Sequence, residues 1–85
     1  MASYRVLVSL VFLQQPKPPP RERALILAFL DQLQFNPNRP GDYEETDSVG
    51  RRIQIKIIGK YALTYWADHA VKEVKVTNIE LADLL

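Results

Sequence analysis

Residues 51–80 decide the fold, and they read RRIQIKIIGKYALTYWADHAVKEVKVTNIE. Three short runs within this stretch are rich in Ile, Val, Tyr, Thr and Trp, and turn signals separate them. The first turn is predicted at Gly59 and Lys60, because glycine can take the positive φ that a tight hairpin needs. The second is predicted at residues 68–70. Such runs between turns are typical of an antiparallel meander, so the sequence predicts three consecutive strands.

The three runs differ in their hydrophobic pattern. In the first, Ile53, Ile55 and Ile57 alternate with polar residues, and a two-residue period places them on one face of a strand. The second run, residues 61–68, carries apolar bulk on both faces. We therefore expect a half-buried first strand, a central second strand and a third strand that ends near Asn78.

Size and charge limit the classes of protein to be considered. At 85 residues the chain has room for a single domain, 1–85, with one modest core. It contains no cysteine, so nothing suggests a disulfide or a thiolate metal site. The net charge of +1 does not by itself indicate nucleic-acid binding. Basic residues are concentrated in 17–23 and 51–60, and acidic residues in 42–47.

The apolar runs predict neither a membrane span nor a secreted protein. None approaches the roughly 20 residues needed to cross a bilayer. Residues 6–13 lack the small-residue cleavage site of a signal peptide and lead into prolines, so a buried strand is the better interpretation. We expect a cytoplasmic protein without a membrane partner, a cofactor or a metal ion.

The N-terminal half is predicted to supply one strand and one helix. Residues 4–13 are apolar on both faces, which favours the interior of a layered structure. Prolines make residues 14–20 an extended connection, and Pro20 suits the first position of a helix. Residues 21–33 then place apolar side chains at helical spacing. That stripe consists of Ile26, Phe29, Leu30 and Leu33.

Two leucines of this helix, Leu25 and Leu27, lie off the apolar stripe. They either complete the core or form a surface that receives another chain, and both interpretations stay open. Pro37 ends the helix because it disfavours helical geometry at Asn36. The polar residues that follow leave room for a short edge strand at 43–46, which the pattern does not decide.

The order of these elements resembles the RelE/ParE superfamily of bacterial toxins. The helix ends in a Phe-Asn-Pro corner at residues 35–37, a polar loop follows, and the hairpin strand reads GKYALTY over residues 59–65. The resemblance implies a compact α+β domain whose twisted sheet is covered by helix on one face. Together with the residue patterns above, we predict one main helix on a twisted, mainly antiparallel sheet of about four strands. It also implies the toxin of a toxin–antitoxin module, which binds an antitoxin and acts on ribosome-bound mRNA or on DNA gyrase.

Two features depart from the usual pattern of that superfamily. Typical members have two antiparallel helices between the first and second strands, whereas residues 14–33 have room for one. Ribonucleases of the family usually carry a His or Arg and a Tyr just after the last strand, but residues 81–85 read LADLL. The catalytic residues are therefore unassigned. The alternative function is a non-catalytic interaction module with the same fold, which forms a homodimer or binds another protein.

The candidate target-binding residues resemble in position the basic residues that toxin nucleases use. Cations on the first meander strand would hold phosphates, and tyrosines beside them would stack on bases. These residues are Arg51, Arg52, Lys56, Lys60, Tyr61 and Tyr65. A solvated strand face would give the same pattern of cations, and a core position would give the same pattern of tyrosines. Both alternatives stay open. The candidate partner-binding residues are Leu25, Leu27, Leu81, Leu84 and Leu85.

The remaining polar residues are interpreted as surface residues. His69, the single histidine, is predicted to be exposed in a turn, because one histidine alone makes neither a metal site nor a catalytic triad. Glu44, Glu45 and Asp47 are predicted to form an acidic, solvated loop.

Overall fold

The computed structural model describes residues 3–8 and 18–82, which form one α-helix and a five-stranded mixed sheet. The strands lie in the order β1-β5-β4-β3-β2; β1 runs parallel to β5, and the other neighbouring pairs are antiparallel. In chain order the elements are β1 (Arg5–Val8), α1 (Pro20–Leu33), β2 (Tyr43–Thr46), β3 (Arg52–Ile58), β4 (Tyr61–Asp68) and β5 (Glu73–Leu81). The predicted α+β fold, with one helix on a mainly antiparallel sheet, is confirmed.

The strand count corrects the prediction, because the described residues form five strands instead of about four. The additional strand is β2, which pairs antiparallel with β3 at the sheet edge. Asp42 starts this pairing: its N–H donates to the carbonyl of Ile55 at 2.8 Å, and its Oδ2 accepts from the N–H of Ile57 at 2.8 Å. All four residues of β2 are exposed, so the strand has no apolar face for sequence reading to detect.

Helix α1 begins at Pro20, as predicted, because the fixed φ of proline suits the first turn and no acceptor is needed for its missing N–H. The buried face of the helix consists of Ile26, Phe29 and Leu33. The predicted apolar stripe is therefore confirmed. Leu25 and Leu27 are 51% and 58% exposed. The interpretation of these two leucines as core is therefore wrong, and they leave an apolar surface on the helix.

The core lies between α1 and one face of the sheet. The rings of Phe29 and Tyr65 pack edge to face there, with centroids 5.5 Å apart. Residues paired across neighbouring strands project to the same face, and Lys56 pairs with the buried Leu63. The polar row of β3 therefore lies on the helix side, and the three alternating isoleucines line the opposite face. The buried core residues are Ile26, Phe29, Leu33, Ile58, Leu63, Tyr65, Val74 and Val76.

Strand β1 lies at the edge of the sheet, which corrects the prediction of an interior strand. It pairs with β5 and packs on the core through Val6, while Leu7 and Val8 are exposed. An apolar strand with one neighbour and one covering helix buries only part of its surface. Residues 9–17 lie outside the described residues; they include the rest of the predicted strand and most of the proline-rich connection.

The meander is confirmed, although its last strand is longer than predicted. Gly59 has a φ of +58° in the turn between β3 and β4, as the hairpin requires. β5 continues past Asn78 to Leu81, and its pairing with β4 shifts register between Thr64 and Tyr65. Beyond such a bulge the strand stays paired, but its side chains no longer continue the earlier inward–outward alternation. The sequence pattern therefore predicts the end of β5 too early.

Candidate functional site: a groove lined by arginines

A groove of about 560 Å³ lies where the start of β3 meets the end of β4. Antiparallel pairing brings these two strand ends together, and the loop after α1 supplies further lining. The charged and aromatic residues of the lining are Arg39, Glu44, Arg51, Arg52, Tyr65, Trp66 and His69. The groove is therefore cationic and partly aromatic.

Tyr65 fixes the loop that carries Arg39. Its hydroxyl donates to the carbonyl of Arg39 at 2.8 Å, and the tyrosine is only 1% exposed. Burial raises the pKa of Tyr65 to about 12, so the phenol stays protonated and keeps donating even above pH 10, where an ordinary phenol loses its proton. Of the two alternatives left open for Tyr65, this burial favours the core position over stacking on a base, because neither face of its ring is open to a ligand.

Arg51 is held by two partners. Its Nε donates to Oδ2 of Asp47 at 2.7 Å, and its guanidinium carbon lies 4.2 Å from the centroid of Trp66. Oδ1 of Asp47 accepts from the backbone N–H groups of Val49 and Arg51 at 3.0 and 2.9 Å. Desolvation raises the pKa of Asp47, but these N–H groups and the guanidinium outweigh it and hold the pKa below its usual value. Arg51 is therefore a preorganised cation in the groove wall.

Trp66 has a second cation on its ring. Nζ of Lys75 lies 5.0 Å from the ring centroid and 3.1 Å from Oδ2 of Asp68. The hydrogen bond from Lys75 is the main reason why the pKa of Asp68 lies below its usual value. Cation–π contacts stabilise by about 0.5–1 kcal/mol at exposed sites. The indole is therefore already engaged by two cations and forms part of the wall.

Arg52 has the most accessible guanidinium of the groove. Its side chain is 82% exposed, and its Nε lies 3.7 Å from Oε1 of Glu44. An exposed ion pair of this kind contributes about 0–1 kcal/mol. Glu44 is also held by Gln54, whose Nε2 donates to Oε2 at 2.8 Å. Arg52 can therefore turn towards an anionic ligand at little cost.

The two lysines of the predicted basic set lie away from the groove. Lys56 is half-buried, and its Nζ is 3.5 Å from Oδ1 of Asp42. The N–H of Ile57 is the main reason why the pKa of Asp42 lies below its usual value, and Lys56 lowers it further. Lys60 is exposed in the turn at the opposite end of β3, and Tyr61 is half-buried against the core. The four predicted cations therefore divide: Arg51 and Arg52 line the groove, and the two lysines do not.

Sequence reasoning missed Arg39 and His69 because the loop after α1 and the β4–β5 turn, which carry them, reach the groove only through the fold. One signal in the sequence could have found His69. It lies in the predicted turn after β4, and β4 is the predicted neighbour of the basic strand β3. The hydroxyl of Tyr4 lies 2.7 Å from Nδ1 of His69, and the two rings meet edge to face with centroids 5.5 Å apart. His69 is exposed, as predicted, but its imidazole is held by a residue from the start of the chain.

Residues 3–8 and 18–82 show neither a metal-binding cluster nor a helix that could span a membrane. These residues contain no group of three or more His, Cys, Asp or Glu side chains arranged to hold a metal ion. In the same part of the chain, no helix combines the length and the hydropathy that a membrane span requires.

A second groove, between α1 and β1, exposes apolar side chains. Its volume is about 570 Å³, and its apolar lining comes from β1 and from Leu27 and Leu30 of α1. Leu25 is exposed on the same helix, and Leu81 is exposed at the end of β5. These three leucines are therefore accessible to a partner. Leu84 and Leu85, the other predicted partner-binding residues, lie outside the described part of the chain.

Comparisons with known proteins identify the fold. No family model and no curated protein matches the sequence. A chain of the archaeal RelE–RelB complex from Pyrococcus horikoshii OT3 aligns with a TM-score of 0.73 at 19% identity, over 93% of this chain and 94% of that one. A chain of the toxin–antitoxin complex RelBE2 from Mycobacterium tuberculosis aligns with a TM-score of 0.70 at 23% identity, over 93% and 98%. The helix on a five-stranded sheet, as the described residues form it, and these two matches show that the protein has the RelE-like fold.

Proposed function

We propose that this protein is the toxin of a toxin–antitoxin pair and that its target is RNA bound along the cationic groove. The fold that it shares with chains of two such complexes supports the first part. The observation that carries the second part is the convergence of Arg39, Arg51 and Arg52 on one groove. A cytoplasmic protein of this kind inhibits translation by binding or cleaving mRNA.

The guanidinium groups suit an RNA backbone. A planar guanidinium donates two parallel hydrogen bonds to a phosphate and keeps its charge at every physiological pH. Asp47 engages Nε of Arg51, which leaves the terminal nitrogens of that residue for a ligand. The exposed guanidinium of Arg52 has only a weak ion pair to give up when it turns to a second phosphate. One fixed and one adaptable arginine are therefore expected to hold neighbouring phosphates of a single strand.

RNA cleavage through the 2′-hydroxyl needs a base, cations at the phosphate and an acid for the leaving oxygen. The arginines of the groove supply the cations. Imidazole is the side chain that exchanges protons most readily near neutral pH, and His69 lines the groove. We therefore assign to His69, in its imidazolium form, the role of the acid that protonates the leaving oxygen in a cleaving toxin with this sequence.

The antitoxin is proposed to bind at the groove between α1 and β1. Leu25 and Leu27 are more than half exposed, and β1 lies at the edge of the sheet. An apolar segment of a partner can cover these leucines and hydrogen-bond to the edge strand. The same surface favours the alternative function, a non-catalytic module that forms a homodimer or binds another protein.

Inducible expression in a bacterial host, with growth curves and primer extension on cellular mRNAs, tests this function. We expect growth arrest together with new mRNA ends. Arg52→Glu should abolish the arrest because it reverses a charge proposed to bind a phosphate. The variant should still fold, because the wild-type side chain has only a weak contact to lose. Arg23→Glu, an exposed change on α1, is the matched control and should remain toxic. Circular dichroism shows whether both variants fold.

The other outcomes of that experiment point to different functions. Arrest with intact mRNA would move the target to DNA gyrase or another protein. Arrest by folded Arg52→Glu would remove the groove as the target-binding site. Normal growth in the presence of folded wild-type protein would favour the interaction module.

A further inference from the structure

We propose that Tyr4 is a positioning residue for His69: its phenol holds the imidazole so that Nε2, and not Nδ1, faces a phosphate in the groove. The role of the phosphate rests on the proposed function. The arrangement of the two side chains belongs to the free protein and can be tested without RNA.

Tyr4 contacts His69 without being one of the residues that line the groove. The hydroxyl oxygen of Tyr4 lies 2.7 Å from Nδ1, and the ring planes meet at 74° with centroids 5.5 Å apart. His69 lines the groove, whereas Tyr4 packs against the hydrophobic core. The imidazole is therefore held on its Nδ1 side, which leaves Nε2 as the nitrogen for a ligand.

The backbone around Tyr4 makes this hold rigid. The N–H of Tyr4 donates to the carbonyl of Gln34, at the end of α1, at 2.8 Å. The N–H of Arg5 donates at 3.1 Å to the carbonyl of Lys72, in the same turn that carries His69. The backbone of Tyr4 and Arg5 is thus tied to the end of α1 and to the turn that carries His69. The hydroxyl group has a defined position relative to the imidazole.

The chemistry of the pair determines which nitrogen carries a proton. A phenol is a better donor than a neutral imidazole N–H, and an imidazole nitrogen is a better acceptor than a phenol oxygen. The hydroxyl of Tyr4 therefore donates to Nδ1 of neutral His69, and Nε2 carries the hydrogen. In the imidazolium form, Nδ1–H donates to the phenol oxygen instead. Nε2–H thus stays a donor in both forms.

A donor at Nε2 suits an anionic ligand in this groove. The charged groups that line the groove with His69 are Arg39, Glu44, Arg51 and Arg52. Three of the four are cationic, so a phosphate is the expected ligand, and its oxygens only accept hydrogen bonds. His69 held with Nε2–H towards the groove would add one oriented donor to those of the arginines.

Nitrogen-15 NMR of the imidazole tests the arrangement in the free protein. Because His69 is the only histidine, its ring signals need no assignment. We expect an Nδ1 shift typical of a hydrogen-bonded acceptor and a single ring orientation. Tyr4→Phe should move the shift towards that of a solvated imidazole and allow the ring to change rotamer. Tyr43→Phe, which removes an exposed phenol, is the matched control and should leave the signals unchanged. Identical His69 signals in the wild type and in Tyr4→Phe would overturn the proposal.

Affinity for a short single-stranded oligoribonucleotide tests the consequence for binding. We expect His69→Ala to weaken binding about tenfold and Tyr4→Phe about threefold, in line with the loss of one oriented hydrogen bond. Tyr4→Phe in the His69→Ala background should have no further effect, because Tyr4 acts through His69. Fully additive effects would overturn the positioning role. If the oligoribonucleotide does not bind while the NMR signature depends on Tyr4, the positioning stands and the proposed RNA target fails.

Discussion

The guanidinium of Arg51 lies against the ring of Trp66, with 4.2 Å between its central carbon and the ring centroid. Arg51 precedes β3 and Trp66 belongs to β4, so the contact joins the entry of one strand to the end of its neighbour. Asp47 completes it from the β2–β3 turn. The same carboxylate therefore closes a turn and sets the position of a cation in the groove wall.

Asp47→Ala should affect stability and the groove together. The change removes two hydrogen bonds to backbone N–H groups and the contact that orients Arg51. We expect the melting temperature to fall by several degrees and RNA affinity to fall with it, measured by differential scanning fluorimetry and fluorescence anisotropy. Ser48→Ala, in the same turn, is the control and should change neither. An unchanged melting temperature for Asp47→Ala would contradict the role given to this turn.

Acid should destabilise the protein through three carboxylates. The pKa values of Asp42, Asp47 and Asp68 all lie below the ordinary value of 3.8 in the folded protein. As the pH falls, the unfolded state therefore binds protons before the folded state does. The stabilisation from these carboxylates is complete well above pH 3.8 and is lost as the pH falls through the pKa values of the folded protein. We expect the free energy of unfolding, from urea titrations, to decline from about pH 5 downwards. A shallower decline is expected for Asp47→Asn; an unchanged slope would argue against its lowered pKa.

Alkali should destabilise the protein through Tyr65. Its pKa is about 12 when folded, against 10.0 for the ordinary phenol, so the folded state keeps its proton longer than the unfolded state does. This stabilisation is fully present below pH 10 and is lost as the pH rises from 10 towards 12. Urea titrations from pH 8 to pH 11 should show a decline that Tyr65→Phe reduces. Equal slopes for the two proteins would mean that burial does not raise the pKa of the Tyr65 phenol.

The hydroxyl of Tyr65 should also matter at neutral pH. Tyr65→Phe leaves the carbonyl of Arg39 without this partner and should lower the free energy of unfolding by about 1 kcal/mol. Because the hydrogen bond fixes the loop at the groove, RNA affinity should fall as well. Tyr61→Phe removes a half-buried phenol from the same strand and serves as the control. A larger loss of stability for Tyr61→Phe would contradict the assignment.

Two glycines should respond differently to a methyl group. A Cβ at Gly41 would lie 2.4 Å from the backbone oxygen of Ile55, so Gly41→Ala must push the start of β2 away from β3. We expect it to cost about 2–3 kcal/mol by urea denaturation. At Gly50 nothing lies within 4 Å, and only its φ of +84° is unfavourable, so Gly50→Ala should cost about 1 kcal/mol. The reverse order would contradict the close approach at Gly41.

The exposed leucines of α1 should matter for partner binding and not for folding. Leu27→Asp changes a side chain that is more than half exposed, so the melting temperature should stay within a few degrees of wild type. Binding to the antitoxin, measured by calorimetry, should weaken at least tenfold. Val71→Asp, an exposed apolar position in the β4–β5 turn, is the control. Antitoxin binding that tolerates Leu27→Asp would place the partner elsewhere.

Local chemistry was sufficient to predict the helix and the hairpins. The start of α1 follows from Pro20, its buried stripe from 3.6-residue periodicity, and the β3–β4 turn from Gly59. Each of these signals involves residues close together in the chain. By contrast, β2 offers no apolar face, so its pairing with β3 depends on hydrogen bonds that local patterns do not report.

The amino-acid sequence by itself determined the α+β class, the limits of α1 and the three-stranded meander, because short-range spacing and turn residues encode them. Only the tertiary structure decided that β1 is an edge strand, that the polar row of β3 lies on the helix side, and that Arg39, Arg51 and His69 share one groove. Alternation assigns residues to two faces but does not say which face a helix covers. Residues that are distant in the chain meet only through strand order and register, which long-range pairing sets.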